Sequence, residues 1–593
     1  GERVAINRIS RDFRRWKRHA GGKATKIFVG DLQGGAVKKL TTFSGTNAYP
    51  MWHGGRIYFL SNRTGTQNLW STTPAGEDLR QHTRFDDYDV RFPSLGGGTI
   101  VFQHRAELHQ LKLASGKVAK IPLVLLSDRL RARARFTDPL TYLTRYEISP
   151  DGRHLALEVR GDLHLVPAAR EGLKVRLTAD SGVRSWGLSF GPRGERLAAV
   201  SDATGEAEVF VYDREVATAP RQITRDGECH KFPPRWSPDG ARIAYSDSQN
   251  RLFIVDAAGR QSPREVDRSP HGRIRGYTWS PDGRYLAYVK REPNYWSSIF
   301  IRDTRRNRTI RVTDAYFDEW SPTWSADGKY LAFLSDRTVN PYLDRLDFET
   351  ILVKATKPYL VLLSAKTRSP FVPAASPPDD EKNKDDDGTP GAGRAAAARK
   401  AVELDAEGIG RRIVEVPVEA GHYSALHAGD GFLLYIDSES QGMAEWGRFP
   451  EMKQPHRRLV RFDIEDKKAR TFFDRVTSYA VSRDGKRIAV LRKKNKKKKL
   501  YAFDLGKKAP EDDALDEARV PLGKIREAVD PRAEWRQIFD EVWRMMRDLY
   551  WTPDMGRVDW KAMRDKYRPL LSRIATRREL NDLLGELVAE LSL

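Results

Sequence analysis

The sequence predicts a mainly β protein in which tandem β-propellers are followed by a small α-helical subdomain. A short motif recurs at turn glycines 152, 194, 240, 283 and 328, a spacing of 42 to 46 residues. Apolar and polar residues alternate after each copy of the motif, as they do in half-buried strands. After about Val520 the period of the apolar residues changes from two to about 3.6, which is typical of helices.

Each copy of the motif is an aromatic or apolar residue, a tight turn and a new apolar strand. Pro-Asp-Gly forms such a turn because glycine adopts the positive φ that it needs. The clear copies begin at Ile148, Trp236, Trp279 and Trp324, and the weaker copies begin at Phe190 and Val481. With Gly431 as a further anchor, the turns predict seven four-stranded blades, since one blade takes about 40–50 residues. We therefore expect a seven-bladed propeller over residues 137–515.

Two further regions lie within or before this repeat. Residues 374–406 are rich in aspartate, proline, glycine and alanine and have few apolar side chains, which predicts a disordered insertion. Upstream, three more copies begin at Gly1, Gly55 and Gly98, and they predict a partial first propeller over residues 1–125. The arginine-rich residues 126–136 are expected to link the two propellers.

Residues 525–593 are predicted to form the helical subdomain. Asp530 can cap a first helix, with Pro531 at its first position. A second helix is expected to begin near Asp559, and a third at Thr576, where Glu579 completes a capping box. The apolar stripes of these helices indicate a packed core and not a cofactor site.

Composition excludes several classes of function. The net charge is +22, but the densest basic run, Arg492–Lys499, lies where a hairpin turn belongs and contains no aromatic residues, so a solvated loop is favoured over a nucleic-acid site. No run of about 18 apolar residues predicts a membrane span. The single cysteine, Cys229, excludes an intrachain disulfide and favours a reducing compartment. Because the chain begins at Gly1 and ends at Leu593 within a helical pattern, we expect a piece of a longer protein. The sequence therefore neither predicts nor excludes a signal peptide.

Two patterns could indicate nucleophilic catalysis, and neither is favoured. Gly187-Leu-Ser-Phe-Gly191 matches a Gly-x-Ser-x-Gly elbow, but an elbow requires a helix after Ser189, and here Pro192 and another strand follow. Cys229 and His230 are neighbours in the chain, so in an extended segment their side chains point to opposite faces. No metal or phosphate motif occurs. We therefore predict no catalytic residue, metal site or cofactor in this chain.

Several segments closely resemble the bacterial tricorn proteases. They include Pro50–Arg63 with Asn68-Leu-Trp-Ser71, and Gly408-Ile409 with Arg412–Val418. The most specific are Trp543–Trp551, Val558-Asp-Trp560 and Lys566–Leu570, which are similar to the first catalytic subdomain of that family. The resemblance covers the whole chain.

The resemblance implies a layout of a six-bladed propeller, a seven-bladed propeller, a helical subdomain, a PDZ domain and a second catalytic subdomain. It also implies a hexameric cytoplasmic serine peptidase whose oligopeptide substrates thread through the propeller channels. The nucleophilic serine and the histidine base would then follow Leu593, so this chain alone is expected to be inactive. The paired arginines that anchor a substrate carboxylate in the family would precede Gly1, and Arg14-Arg15 lies in the wrong blade for that role. The resemblance therefore assigns no substrate-binding residue here.

Two other classes of protein share the propeller repeat. A TolB-like binding scaffold would have the same Pro-Asp-Gly turns without catalysis, but it would not need the helices after Asp530. A prolyl oligopeptidase would require a strand, an elbow and a helix after the blades, where amphipathic helices follow instead.

Overall fold

The computed structural model describes most of the chain. The residues outside the description are 1, 9–16, 170, 171, 173, 179, 215–218, 228, 340, 344–349, 353, 372–400, 441–454, 495, 496, 592 and 593. The described chain forms two compact units, one from residues 1–135 and 530–593 and the other from residues 136–529. The fold is mainly β with propeller sheets and a small helical region, which confirms the predicted fold class.

In the first unit, the described residues up to 121 form three antiparallel sheets, each built from consecutive strands. The motif copies at Gly55 and Gly98 form the turns between the first two strands of the second and third sheets. The sheets are β1–β3 (Arg3–Asn7, Ile27–Asp31, Val37–Lys39), β4–β7 (Asn47–His53, Arg56–Ser61, Asn68–Thr72, Arg80–Gln81) and β8–β11 (Val90–Gly96, Thr99–His104, Glu107–Lys112, Lys117–Ile121).

The second unit contains seven propeller sheets, and each of the seven anchor glycines connects the first two strands of a different sheet. A short strand, β12 (Arg135–Thr137), and helix α1 (Pro139–Tyr142) precede them. The first four blades are β13–β16 (Leu143–Ile148, His154–Val159, Asp162–Pro167, Val175–Arg176), β17–β20 (Ser185–Phe190, Arg196–Ser201, Glu208–Asp213, Arg221–Gln222), β21–β24 (Arg235–Trp236, Arg242–Ser246, Arg251–Asp256, Arg264–Arg268) and β25–β28 (Arg275–Trp279, Tyr285–Arg291, Ser297–Asp303, Arg308–Arg311).

The last three blades carry the irregular connections. In the fifth blade, a separate hairpin, β31–β32, interrupts the order β29-β30-β33-β34. The seventh blade has three regular strands, and the N–H of Val520 extends it by donating to Leu500 O at 2.9 Å. The strands are β29–β34 (Glu319–Trp324, Tyr330–Ser335, Pro341–Leu343, Thr350–Leu352, Lys357–Leu362, Ile413–Glu415), β35–β38 (His422–Ala428, Phe432–Ser438, Arg457–Asp463, Lys468–Asp474) and β39–β41 (Val476–Val481, Arg487–Lys494, Lys497–Asp504). Helix α2 (Asp512–Glu517) and strand β42 (Glu527–Val529) follow, and β42 pairs with β12.

The seven blades form a closed ring in which the first strands lie innermost. First strands of neighbouring blades pack against one another from the first blade to the sixth, and β39 of the last blade packs against β37 of the sixth. β13 of the first blade packs against β39 of the last. At this seam Tyr146 Oη donates to Ser478 O at 2.8 Å and accepts from Leu491 N at 3.1 Å. No propeller sheet combines strands from the first and last blades, so the ring is closed by contacts between these two blades and not by a shared blade. The contacts include the hydrogen bond from Asp484 N to Pro150 O at 3.4 Å.

Five of the turns have the same pattern of local hydrogen bonds, which explains why the motif is so recognisable. In the third blade, Ser237 Oγ accepts from Arg242 N at 3.0 Å, and Asp239 Oδ1 accepts from Ala241 N at 3.0 Å. Gly240 between them has φ +76°, which only glycine adopts without strain. The same serine and aspartate bonds recur at Ser149-Asp151, Ser280-Asp282, Ser325-Asp327 and Ser482-Asp484. Each turn therefore satisfies its own polar groups locally.

Most of the predicted insertion, residues 374–400, lies outside the described residues. Its last six residues, 401–406, are described and packed. Val402 is 3% exposed in the core between the fourth and fifth blades, and its N–H donates to Asp282 Oδ2 at 3.0 Å. Asp405 Oδ2 accepts from Ala365 N at 2.7 Å. This part of the chain therefore belongs to the propeller.

The helical region of the first unit contains three helices, which begin where the sequence predicts. They are α3 (Pro531–Leu549), α4 (Trp560–Tyr567) and α5 (Arg577–Ala589). Asp530 caps α3 at Arg532 N and Ala533 N, Asp559 caps α4, and Thr576 forms a capping box with Glu579. Phe539, Trp560, Leu583 and Leu587 pack together with Tyr88 in one core. Within the described ranges, no helix has both the length and the apolar composition needed to cross a membrane.

Candidate functional site

Ser189 lies in the innermost strand of the second blade and not at a nucleophile elbow. It pairs with Ala198 in β18, and its side chain is buried. Gly187 has φ +70° at a bulge in β17, and its N–H donates to Glu158 Oε2 at 2.8 Å. The segment continues through a turn into another strand, so the structure supports the interpretation of Ser189 as a blade residue.

Cys229 and His230 are likewise kept apart. Burial raises the pKa of the Cys229 thiol to about 12, and Sγ lies 3.7 Å from Asp247 Oδ2. The His230 ring instead stacks on Trp186 with 5.4 Å between ring centroids. A thiol with a raised pKa is a poor nucleophile, so the pair has no catalytic geometry.

The structure describes the basic run Arg492–Lys499 but not the arginine pair Arg14-Arg15. Arg492–Lys499 lies at the turn end of the β40–β41 hairpin, where the sequence places a hairpin turn, but most of the run is in the paired strands and not in a loop. The backbone pairing extends to Lys494 and Lys497, so the hairpin continues beyond its apolar part. Arg14 and Arg15 lie outside the described residues. In the described part of the chain, no group of three or more histidine, cysteine, aspartate or glutamate side chains is placed to hold a metal ion.

The structure brings together one residue from each blade at the centre of the second unit. These residues immediately precede the aromatic or apolar residue of each turn motif, and they are Glu147, Ser189, Arg235, Thr278, Thr323, His427 and Ala480. Their neighbours, such as Tyr277 and Trp279 beside Thr278, are buried between blades. Because side chains alternate along a strand, the intervening residues face the axis of the ring.

The contacts of these residues support that placement. Glu147 Oε1 of the first blade lies 3.2 Å from Arg235 Nη1 of the third blade, so the two side chains meet in front of the second blade. Glu147 Oε2 also accepts from Phe190 N at 3.1 Å. The indole N–H of Trp279 donates to Arg235 O, and that of Trp324 donates to Thr278 O, each at 3.1 Å.

This inner set is polar at six of its seven positions and carries both signs of charge. Burial lowers the pKa of His427 to about 4, so its imidazole is neutral at pH 7. A lining with hydroxyls, a neutral imidazole and paired charges offers hydrogen bonds to a polar chain without a strong net field. Sequence reasoning missed this set, although aligning the turn motifs and comparing the preceding residues could have found it.

A second polar cluster lies in the first unit, at the end of α5. The Glu590 carboxylate accepts from Tyr567 Oη at 2.6 Å, Lys566 Nζ at 2.8 Å and Lys17 Nζ at 3.1 Å. Glu586, one turn earlier, pairs with Lys17 at 3.3 Å and with Arg91. The cluster joins the end of α5 to α4, to Lys17 and to Arg91 of β8 in the same unit.

Comparison with known proteins is consistent with this arrangement. Family models match residues 1–117 as the tricorn protease N-terminal beta propeller domain, residues 143–503 as the tricorn protease second beta propeller domain and residues 531–589 as the tricorn protease C1 domain. Tricorn protease homolog 1 of Streptomyces coelicolor is 32% identical over 97% of this chain and 54% of its own length. Tricorn protease homolog of Saccharolobus solfataricus is 28% identical over 99% of this chain and 51% of its own length.

A crystal structure of the tricorn protease superposes with a TM-score of 0.82 and 21% identity, covering 100% of this chain and 54% of that one. The fold and these matches define a protein with tandem propellers and a C1 helical domain. The chain belongs to the tricorn protease family. It spans about half the length of the curated relatives that it matches.

Proposed function

We propose that this chain is the propeller and C1 part of a tricorn-like serine peptidase that degrades oligopeptides. The observation that carries the proposal is the match of three consecutive tricorn domain models along residues 1–589. The catalytic residues are assigned outside this chain, and the chain alone does not hydrolyse peptides.

The chemistry of the candidate residues supports the proposed inactivity. A serine peptidase needs a hydroxyl activated by a base and donors aimed at the developing oxyanion. Ser189 is 5% exposed within a sheet, and the Cys229 thiol has a pKa raised to about 12. Neither group has the geometry or the ionisation of an activated nucleophile.

We assign the second propeller the role of a passage for peptides. An extended peptide presents backbone N–H and C=O groups that lose hydrogen bonds to water when it enters a channel. The inner set supplies replacement donors and acceptors on the first six blades, from Glu147 to His427, and the seventh blade contributes Ala480. The C1 helices α3–α5 support the peptidase centre, with the Glu590 cluster holding the end of α5 in place.

The assembly and location follow the same proposal. We assign the complete protein to a cytoplasmic homohexamer that acts on oligopeptides, without a cofactor, a nucleic-acid partner or a membrane. A TolB-like scaffold without catalysis is the alternative, and the match of residues 531–589 to the C1 domain favours the peptidase.

Peptide hydrolysis tests the proposal directly. Cleavage of fluorogenic peptides is measured for this chain and for a protein extended to the length of the curated relatives. A serine-reactive fluorophosphonate should label only the extended protein, and Ser189→Ala should change neither result.

Activity of this chain that disappears in Ser189→Ala would overturn the assignment of the catalytic residues outside the chain. If the extended protein neither cleaves peptides nor takes the label, the scaffold alternative replaces the peptidase.

A further inference from the structure

A cavity of about 290 Å³ lies at one end of the fourth blade of the second unit, and three arginines line it. Its residues are Arg273, Arg275, Val289, Arg291 and Ser297. They come from the start of β25, the end of β26 and the start of β27, which are adjacent in the antiparallel ladder. Val289 and Ser297 are each 1% exposed, whereas the three arginines are exposed to solvent. The cavity therefore has a buried floor and a cationic rim.

The three guanidinium groups lack a carboxylate partner in the described part of the chain. Arg273 lies over the ring of Phe232, with 3.6 Å to the centroid. Arg275 Nη2 donates to Ser297 Oγ at 3.3 Å. Arg291 lies 5.8 Å from the Tyr295 ring centroid.

The acidic side chains next to the cavity already have other partners. Glu292 pairs with Arg311 at 3.1 Å, and Asp318 accepts from Ser297 N at 2.9 Å. Three like charges at one small cavity repel one another, and an anionic ligand would remove that cost. The fork of each guanidinium matches the two oxygens of a carboxylate.

Exposed aromatic rings adjoin the cationic rim. Tyr295, Trp296 and Tyr316 are 66%, 45% and 70% exposed. The two loops that carry them are joined, because Asn294 Nδ2 donates to Ala315 O at 2.6 Å. Large exposed aromatic side chains next to arginines are typical of binding sites, since both residue types are enriched where partners bind.

We propose that this cavity binds the C-terminal carboxylate of a peptide, whose last side chains lie on the aromatic rings of Tyr295 and Trp296. The volume is at the small end for a ligand site, so it holds a chain terminus and not a folded domain. The identification of the ligand as a peptide rests on the proposed function. The site lies at the end of the fourth blade where its first strand begins.

Isothermal titration of the purified 593-residue chain tests the site without relying on hydrolysis. The probe is an N-acetylated tetrapeptide that ends in phenylalanine, used as the free acid and as the C-terminal amide. The free acid should bind at least about tenfold more tightly than the amide, because a charged hydrogen-bond partner is lost in the amide. Arg273→Gln and Arg291→Gln should each weaken binding of the free acid by about tenfold and leave binding of the amide unchanged.

Arg306→Gln is the matched control, because Arg306 is exposed in the turn at the opposite end of the same blade. It should bind the free acid as the unmodified chain does, and thermal unfolding should show that all three variants are folded. Equal binding of the acid and the amide, or an equal loss in Arg306→Gln, would overturn the proposal. So would inorganic phosphate binding more tightly than the free-acid peptide.

The result separates this inference from the proposed function. If the chain discriminates the acid from the amide but the extended protein does not cleave peptides, only the peptidase assignment fails. If the extended protein cleaves peptides and the chain does not discriminate, only the carboxylate site fails.

Discussion

Replacing Glu590 by glutamine should destabilise the unit formed by residues 1–135 and 530–593. Glu590 is 4% exposed, and its carboxylate is the common acceptor for Lys17, Lys566 and Tyr567. A glutamine keeps the shape but removes the charge. Lys17, which is 8% exposed, would then lose this partner and keep its ion pair with Glu586, at 3.3 Å.

The magnitude follows from the pKa of Glu590. Burial alone would raise this pKa, but the charge of Lys17 and the hydrogen bonds from Lys566 and Tyr567 outweigh burial and lower it from 4.5 to about 2. At about 1.4 kcal/mol per pKa unit, the shift contributes roughly 3 kcal/mol to the free energy of unfolding. The pKa is lower in the folded state, so this contribution is complete above about pH 4.5 and is lost as the pH falls towards 2. Breaking a buried pair typically costs about 3–5 kcal/mol, which agrees in size.

Hydrogen exchange measured by mass spectrometry can follow this loss, because it reports the opening free energy of α5 without requiring the whole chain to unfold in one step. In Glu590→Gln, peptides from α5 should lose about 3 kcal/mol of protection at pH 7. The double variant Lys17→Met/Glu590→Leu should lose less than the sum of its single variants, since no buried charge is left unpaired.

Glu107→Gln provides the matched control in the same unit. Glu107 also pairs with two cations, Lys120 at 2.6 Å and Arg573 at 3.0 Å, and these hydrogen bonds also lower its pKa to about 2. Its partners are solvent-exposed, so screening leaves this pair with little net stabilisation. A loss in Glu590→Gln no larger than that in Glu107→Gln would refute the reasoning.

Three further experiments, one labelling reaction and two sets of substitutions, have definite expected outcomes. Cys229 should react with Ellman's reagent only as fast as its blade opens, because its thiol is buried with a pKa of about 12; full labelling of the folded chain within minutes would contradict this. Gly187→Ala should lower thermal stability more than Gly431→Ala. Both glycines have positive φ, but only at Gly187 would a Cβ meet backbone, at 2.8 Å from Pro233 Cα, and equal shifts in Tm would contradict this. Tyr146→Phe should cost about 1–3 kcal/mol in urea unfolding of the second unit, since it leaves Leu491 N–H buried without its acceptor; a change below about 0.5 kcal/mol would contradict this.

The sequence predicts those parts of the fold whose causes are local. Each turn of the Ser237-Pro-Asp-Gly type closes its hydrogen bonds within six residues, so the motif alone locates the first two strands of five of the blades. The caps at Asp530 and Thr576 are predictable for the same reason. The composition of residues 374–406 predicts disorder and does not reveal that residues 401–406 pack on the propeller. The single buried side chain of Val402 packs there on a distant turn, beside Gly328.

The sites depend on residues far apart in the chain, which sequence patterns do not connect. Glu147 and Arg235 meet although they are 88 residues apart, and Lys17 and Glu590 are separated by 573 residues. The arginine cavity results from the register of three strands, because Arg291 pairs with Ser297 and Val289 pairs with Arg275. Only the relative alignment of blades and strands reveals these groupings.

The seam between the first and last blades has a consequence for how the second unit folds. Each blade is a set of neighbouring hairpins, which can form from local contacts as the chain emerges from the ribosome. The seam joins Tyr146 to Ser478 across 332 residues, and closing such a loop costs about 5 kcal/mol of chain entropy on a logarithmic scale. The first and last blades share no strand, but the pair β12–β42 joins the segment before the first blade to the segment after the last blade by a short backbone ladder. Both the seam and this ladder need residues from opposite ends of the second unit, so we expect the ring to close only after the local hairpins of the blades have formed.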